Sequence, residues 1–257
     1  MIVNYNQEGW EVITQRAHGL VAAQLAFEWR TGDRPERWVE TILAIAEHDD
    51  AENELDGELL ITNAGGPLNY DMKSFELPHC RKLASLTITK SRYVALLTSM
   101  HMEFLYAGDE IQSPDAKSFL NEQRRLQDGW RKDLQITKAE ALRIYNLVEW
   151  CDALSLLICK GDMQPEGRAL EISTGPDNKT YNLKQPGEAV LSIDPWPFEK
   201  DEFRIRYDSR LIKALRFGSS AEFRKAFLEA PITEKVWTIT KTPAKKTVAK
   251  KTQKIEK

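Results

Sequence analysis

The chain has 257 residues, 42% of them hydrophobic and 29% charged, which is enough to bury a full core in one large domain or two small ones. No uninterrupted apolar run approaches the roughly 20 residues that a bilayer crossing needs, and no basic start followed by an apolar block marks a secretory leader. These features predict a soluble, cytoplasmic protein with no membrane partner, and the net charge of −3 hides a lysine-rich end.

The opening "MIVNY" has the alternation of a strand, and a helix is predicted from about Thr14 to Trp29, with His18, Ala22, Leu25 and Trp29 on one face. A second helix is expected to start at "DRPE", where Asp33 can cap with Glu36 three residues on. Its apolar stripe is Trp38, Ile42 and Ile45, and the next position on that stripe is Asp49. Residues 50–78, acidic and then turn-rich in "NAGGPLNYD", are too long for a simple connector and read as a loop over something functional.

Helical pattern resumes from about His79 to Ala107, with a break near Thr89 and Gly108 as a stop. Ser113 and Pro114 then form a cap and first helical position, and "TKAE", Thr137 to Glu140, is a capping box that opens a long helix through "LVEWCDALSLLICKG". From residue 165 the pattern changes to short alternating runs, "ALEIS", "TYNLK", "AVLSI", "EFRIRY" and "KVWTIT", which read as antiparallel strands because most lack a crossover helix between them. The expected fold class is α+β. It comprises a mainly helical core with an N-terminal strand over residues 1–163, a small antiparallel β region packed on it over 164–240, and a tail over 241–257.

That tail holds seven lysines against one glutamate, a local +6 that leaves −9 on the rest. It lacks apolar periodicity and is expected to be disordered, with a weak, salt-sensitive polyanion contact as its functional reading. Cys80, Cys151 and Cys159 are odd in number and form no CxxC pair, so they are expected to be reduced and buried rather than bridged or bound to zinc.

The chemistry lies in ionisable residues on apolar stripes. His18, Asp49, His101 and Asp152 each occupy such a position on a separate predicted helix, and each is costly to bury without a partner. Brought together inside a bundle, they form a nitrogen and oxygen ligand set for a divalent ion, and His48 joins them as the direct neighbour of Asp49. A sulfur-free set of this kind suits Fe, Mn, Co or Zn. His79, in the loop after Pro78, is a further candidate ligand. The acids of "EHDD" at a helix C-terminus oppose its dipole, and that placement asks for a compensating cation.

The order of His18, the pair His48 and Asp49, and a late Asp152 resembles the metal-binding signature of the HD superfamily. The longer run "ITQRAHGLVAAQLAFEW", "ILAIAEHDD", "GGPLNY", "RYVALLTSMHMEFL", "FLNEQ", "EWCDALSLLIC" and "DPWPF" resembles a bacterial family known as domain of unknown function 3891, over roughly residues 1–240. The HD resemblance implies an HD-like helical bundle with one or two divalent metal ions, held by His18, His48, Asp49 and Asp152, with His79 and His101 in the interval where two-metal members add histidines. "HDDAENELD" departs from the glycine and tryptophan that usually follow the acidic pair in this family.

The resemblance implies first a metal-dependent phosphohydrolase of a nucleotide or small phosphate ester, in which Asp50 and Asp152 are the candidate catalytic acids that orient the water and Arg16, Arg81, Arg124 and Lys90 are nearby candidate phosphate contacts. A di-iron oxygenase using all six candidate ligands is the second reading. A non-catalytic HD domain that binds a ligand is the third.

Overall fold

The computed structural model describes residues 1–50, 54–57, 59–108 and 113–241. The lysine-rich stretch from residue 242 and part of the acidic loop after Asp50 lie outside the described residues.

The N-terminal strand expectation understates the sequence: β1 (Ile2–Asn6) and β2 (Gly9–Ile13) form a hairpin, with Ile2 opposite Ile13. α1 (Gln15–Phe27) follows at once, its first turn capped by the Thr14 hydroxyl. α2 (Trp38–Ala46) starts later than "DRPE" suggests, because residues Thr31–Asp33 form a 3-10 turn and no side chain caps α2. It also stops before His48, so Asp49 lies in the turn beyond the helix rather than on its stripe.

α3 (Leu77–Ile88) and α4 (Arg92–Tyr106) flank the expected break, where Ser91 caps α4. α5 (Pro114–Leu134) and α6 (Lys138–Lys160) begin at their expected caps, Ser113 and Thr137.

β3 (Leu170–Thr174), β4 (Thr180–Gly187), β5 (Val190–Asp194), β6 (Glu202–Ile212) and β7 (Ile232–Thr240) match the five predicted runs, and α7 (Ser220–Glu229) was not anticipated. The strands form one seven-stranded sheet in the order β1-β2-β6-β7-β5-β4-β3.

This overturns the expectation of a helical bundle with a small C-terminal β region. The fold is mixed α/β, with a large sheet that draws strands from both ends of the chain. Pairing of Val12 with Arg210 joins the N-terminal hairpin to β6. Nor is the sheet wholly antiparallel, since β5 runs parallel to β7 and the intervening β6 and α7 supply the crossover. A strand's alternation records how its two faces are covered but not which strand it pairs with, and that left the sheet's extent open.

The main core lies between helices and sheet. Val21, Leu25 and Ala26 of α1, Ile45 of α2, Leu97 of α4 and Val148, Leu154 and Ile158 of α6 pack with Ile13, Leu183, Leu191, Ile205 and Ile239. β6 shows the expected period of two, burying Phe203, Ile205, Tyr207 and Ser209. Gln24 of α1 fastens to this strand by donating to Arg206 O (2.8 Å) and accepting from Arg206 N (2.9 Å). Phe223 and Phe227 of α7 meet Val12 and Ile212 in a second cluster, with Arg210 Nη1 donating to the carbonyl of Ala230 (2.6 Å) at the helix end.

Trp29, Trp150, Tyr181 and Phe198 join the segment just after α1, α6, β4 and the "DPWPF" segment through edge-to-face ring contacts. All three cysteines are free and buried. Among the described residues no helix is long and apolar enough to cross a membrane.

α1 and α2 approach closely at Gly19, where a Cβ would lie 2.4 Å from the Ala46 carbonyl oxygen. Gly19→Ala would force these backbones apart, with an overpacking cost of about 1–3 kcal/mol. A melting temperature several degrees below wild type is the expected result; an unchanged one would show that the crossing is not tight.

Candidate metal centre

Five of the predicted ligands converge. Capping by Thr14 starts α1 so that His18 falls in its second turn on the buried face, and the Gly19 contact with Ala46 brings that turn against the end of α2. His48 follows in the turn after α2, His101 projects from α4, and Asp152 lies in the middle of α6. His18, His48, His101 and Asp152 are buried, and Asp49 is partly exposed.

At the centre, His18 Nε2 and His48 Nε2 are 3.1 Å apart, and both face Asp152 Oδ1, at 3.2 and 3.1 Å. Asp49 brings Oδ2 to 3.5 Å from His48 Nε2 and Oδ1 to 3.7 Å from His101 Nε2. His101 Nε2 lies 4.0 Å from Asp152 Oδ2. Two overlapping donor groups result, His18 with His48 and Asp49, and His48 with His101 and Asp152.

The arrangement fits a cation on a chemical argument. His48 Nδ1 is 2.7 Å from the Ile45 carbonyl and must donate to it, so in the neutral ring the Nε2 lone pair faces a carboxylate oxygen and a second imidazole. Acceptors crowded this way in a buried site repel unless a positive charge sits among them. Outer partners set the other rings and acids to different degrees. Tyr145 Oη lies 3.3 Å from His101 Nδ1, and Gln15 Nε2 donates to Asp49 Oδ2 (3.1 Å), whereas His18 Nδ1 is buried with no hydrogen-bond partner.

The electrostatics carry the same message. Burial opposes charge on His48, but the carboxylates of Asp49 and Asp152 outweigh it and push the ring up to about 10. Burial would raise the Asp152 carboxyl, yet the surrounding histidines, His48 foremost, hold it well below the usual range, and Asp49 is lowered likewise. His101 is lowered, by burial first and by the neighbouring His48 charge second.

A cavity of about 520 Å³ opens onto this cluster, reaching Asp49, His101 and Asp152. His79 lines it from the first turn of α3 but belongs to neither donor group. Tyr70, Lys73 and Phe75 also line it, so the loop expected to overlie a function does border this cavity. Asp50 is turned to Arg16, accepting at 3.1 Å from Nε, and is not among the lining residues.

Of the suggested phosphate-binding cations, Arg16 reaches the cavity. Arg81 pairs with Glu122, Arg124 with Glu103 and Lys90 with Glu47, away from it. Gln15, Tyr145 and Phe75 escaped sequence reasoning. Gln15 sits three residues before His18 and Tyr145 seven before Asp152, near-integral helical turns that place them beside those residues.

Below about pH 6.5 the proton on His48 stabilises the metal-free fold fully, and that contribution fades as pH rises towards about 10, because the folded pKa exceeds the unfolded one. His48→Gln should therefore cost the metal-free protein more stability at pH 6.5 than at pH 9.5 in denaturant titrations. Loading of a divalent ion near pH 7.5 should release about one proton, read by calorimetry in buffers of different ionisation enthalpy. Proton uptake would contradict the assignment.

No curated protein and no solved structure gave a significant match. The family described as "protein of unknown function (DUF3891)" matches residues 1–214, more than four fifths of the chain. The chain that builds this histidine and aspartate centre belongs to the DUF3891 family.

Proposed function

We propose that the protein is an HD-like metal-dependent hydrolase that acts on a small phosphate ester. The observation that carries this reading is the convergence of His18, His48, Asp49, His101 and Asp152 from four chain segments into two overlapping donor groups that open onto a cavity. These five residues would hold one or two divalent ions of Fe, Mn, Co or Zn. Such an ion supplies an activated water and neutralises charge on a phosphoryl oxygen.

The chain's own groups do the rest. Asp152 lies between two imidazoles and fixes both, and its lowered pKa suits it to orient a water by accepting a hydrogen bond rather than to take a proton outright. Gln15 donates to Asp49 Oδ2, the oxygen that also faces His48, while Asp49 Oδ1 faces His101, and Tyr145 steadies His101 from behind. Arg16 and Lys73 at the cavity offer positive charge to an anionic substrate. The six-ligand oxygenase reading has less support, because His79 stands outside both donor groups.

Protein purified without added metal should carry a stoichiometric divalent ion. His48→Ala should weaken metal binding by more than about 100-fold, since outer-shell partners alone account for about 10–100-fold. With Mn²⁺ or Co²⁺ the wild type should hydrolyse small phosphate monoesters, and Asp152→Asn should lose that activity. Two bound irons with oxygen consumption would favour an oxygenase instead. Absence of a bound ion, with His48→Ala altering neither activity nor melting temperature, would favour a non-catalytic ligand-binding domain.

A further inference from the structure

The cavity is lined by two chemically different sets of side chains. One set is Asp49, His101 and Asp152; the other is Phe75, from the segment before α3, Leu105 and Tyr106 of α4, and Leu156 of α6, with Leu105 and Leu156 one helical turn from His101 and Asp152. Leu105 keeps 41% of its surface exposed, a sizeable apolar area left facing open space beside a polar centre. The volume of about 520 Å³ lies within the range that encloses a whole organic molecule and is several times what a phosphate group fills.

Charge narrows the choice further. Arg16 and Lys73 are the only arginine and lysine side chains among the described lining residues, and Arg16 is already paired with Asp50. Four acids, Asp49, Glu54, Asp71 and Asp152, share the same lining. A triphosphate would bring several negative charges into a cavity that has few cations to meet them, whereas a single phosphoryl group needs only the centre itself. The lining also offers the organic half of a ligand mainly hydrocarbon and aromatic surface.

We infer that the substrate is a phosphate monoester of a compact apolar or aryl-bearing alcohol. Its phosphoryl group lies at the histidine and aspartate centre, and its organic body lies against Phe75, Leu105 and Leu156. This rests on the phosphohydrolase reading and goes beyond it by assigning the side of the substrate that does not react.

The test compares benzylphosphonate, methylphosphonate and a nucleoside triphosphate as ligands of the Mn²⁺-loaded full-length protein, by calorimetry and by thermal shift. Burial of one phenyl group predicts benzylphosphonate binding at least about tenfold more tightly than methylphosphonate. Leu105→Ser and Phe75→Ser should each bring the ratio of the two affinities towards one. Leu105 is partly exposed, so its variant is expected to fold, and circular dichroism checks this. In hydrolysis, benzyl phosphate should exceed glycerol 2-phosphate in kcat/KM by a similar factor.

Equal affinities for the two phosphonates, or tightest binding of the triphosphate, would overturn the inference while leaving the phosphohydrolase reading intact. Binding of neither phosphonate, together with no hydrolysis of any ester, would overturn both.

Discussion

A carboxylate buried in mid-helix is the constraint on which the rest of this structure depends. Asp152 lies among apolar neighbours on α6, and an isolated charge there would cost more than a domain can spare. His18 and His48 meet it from two other segments, and their partnership fixes where α1 and the end of α2 must sit relative to α6. His101 and Asp49 close the group from further sides. Packing and charge are therefore not separable here, because the helices that form the core also have to deliver these groups to one point.

The sheet gives that helical layer its support. α1 is tied to β6 through Gln24 and follows β2 after a single residue, so the position of His18 is set partly by strands that contribute no residue to the histidine and aspartate cluster. The aromatic group of Trp29, just beyond α1, and Trp150, two residues before Asp152 in α6, packs the end of α1 against the middle of α6. A precise centre on a rigid layer and a cavity bordered by a loop is a division of labour that suits binding and chemistry.

Local signals in the sequence were strong where local physics decides the outcome. Thr14, Ser91, Ser113 and Thr137 all cap helices with their hydroxyls. Polar residues on apolar stripes identified His18, His101 and Asp152, since their burial cost is visible in a one-dimensional pattern. Asp49 was found for an imperfect reason, as α2 ends before it and a turn presents it. What the pattern could not carry was long-range pairing: nothing local in "GWEVI" says that it lies beside β6, or in "AVLSI" that it runs parallel to β7. The roles of Gln15 and Tyr145 likewise depend on neighbours about 34 and 44 residues away along the chain.

The position of β7 bears on where the folding unit ends. The family match stops at residue 214, yet β7 begins at Ile232 and lies in the sheet between β6 on one side and β5 on the other. Without it the β1-β2-β6 group and the β5-β4-β3 group share no hydrogen-bonded edge, and each would present a raw strand to solvent. The span that defines the family is thus shorter than the span that completes its architecture here, and a fragment cut at that limit would be two half-sheets under one helical layer.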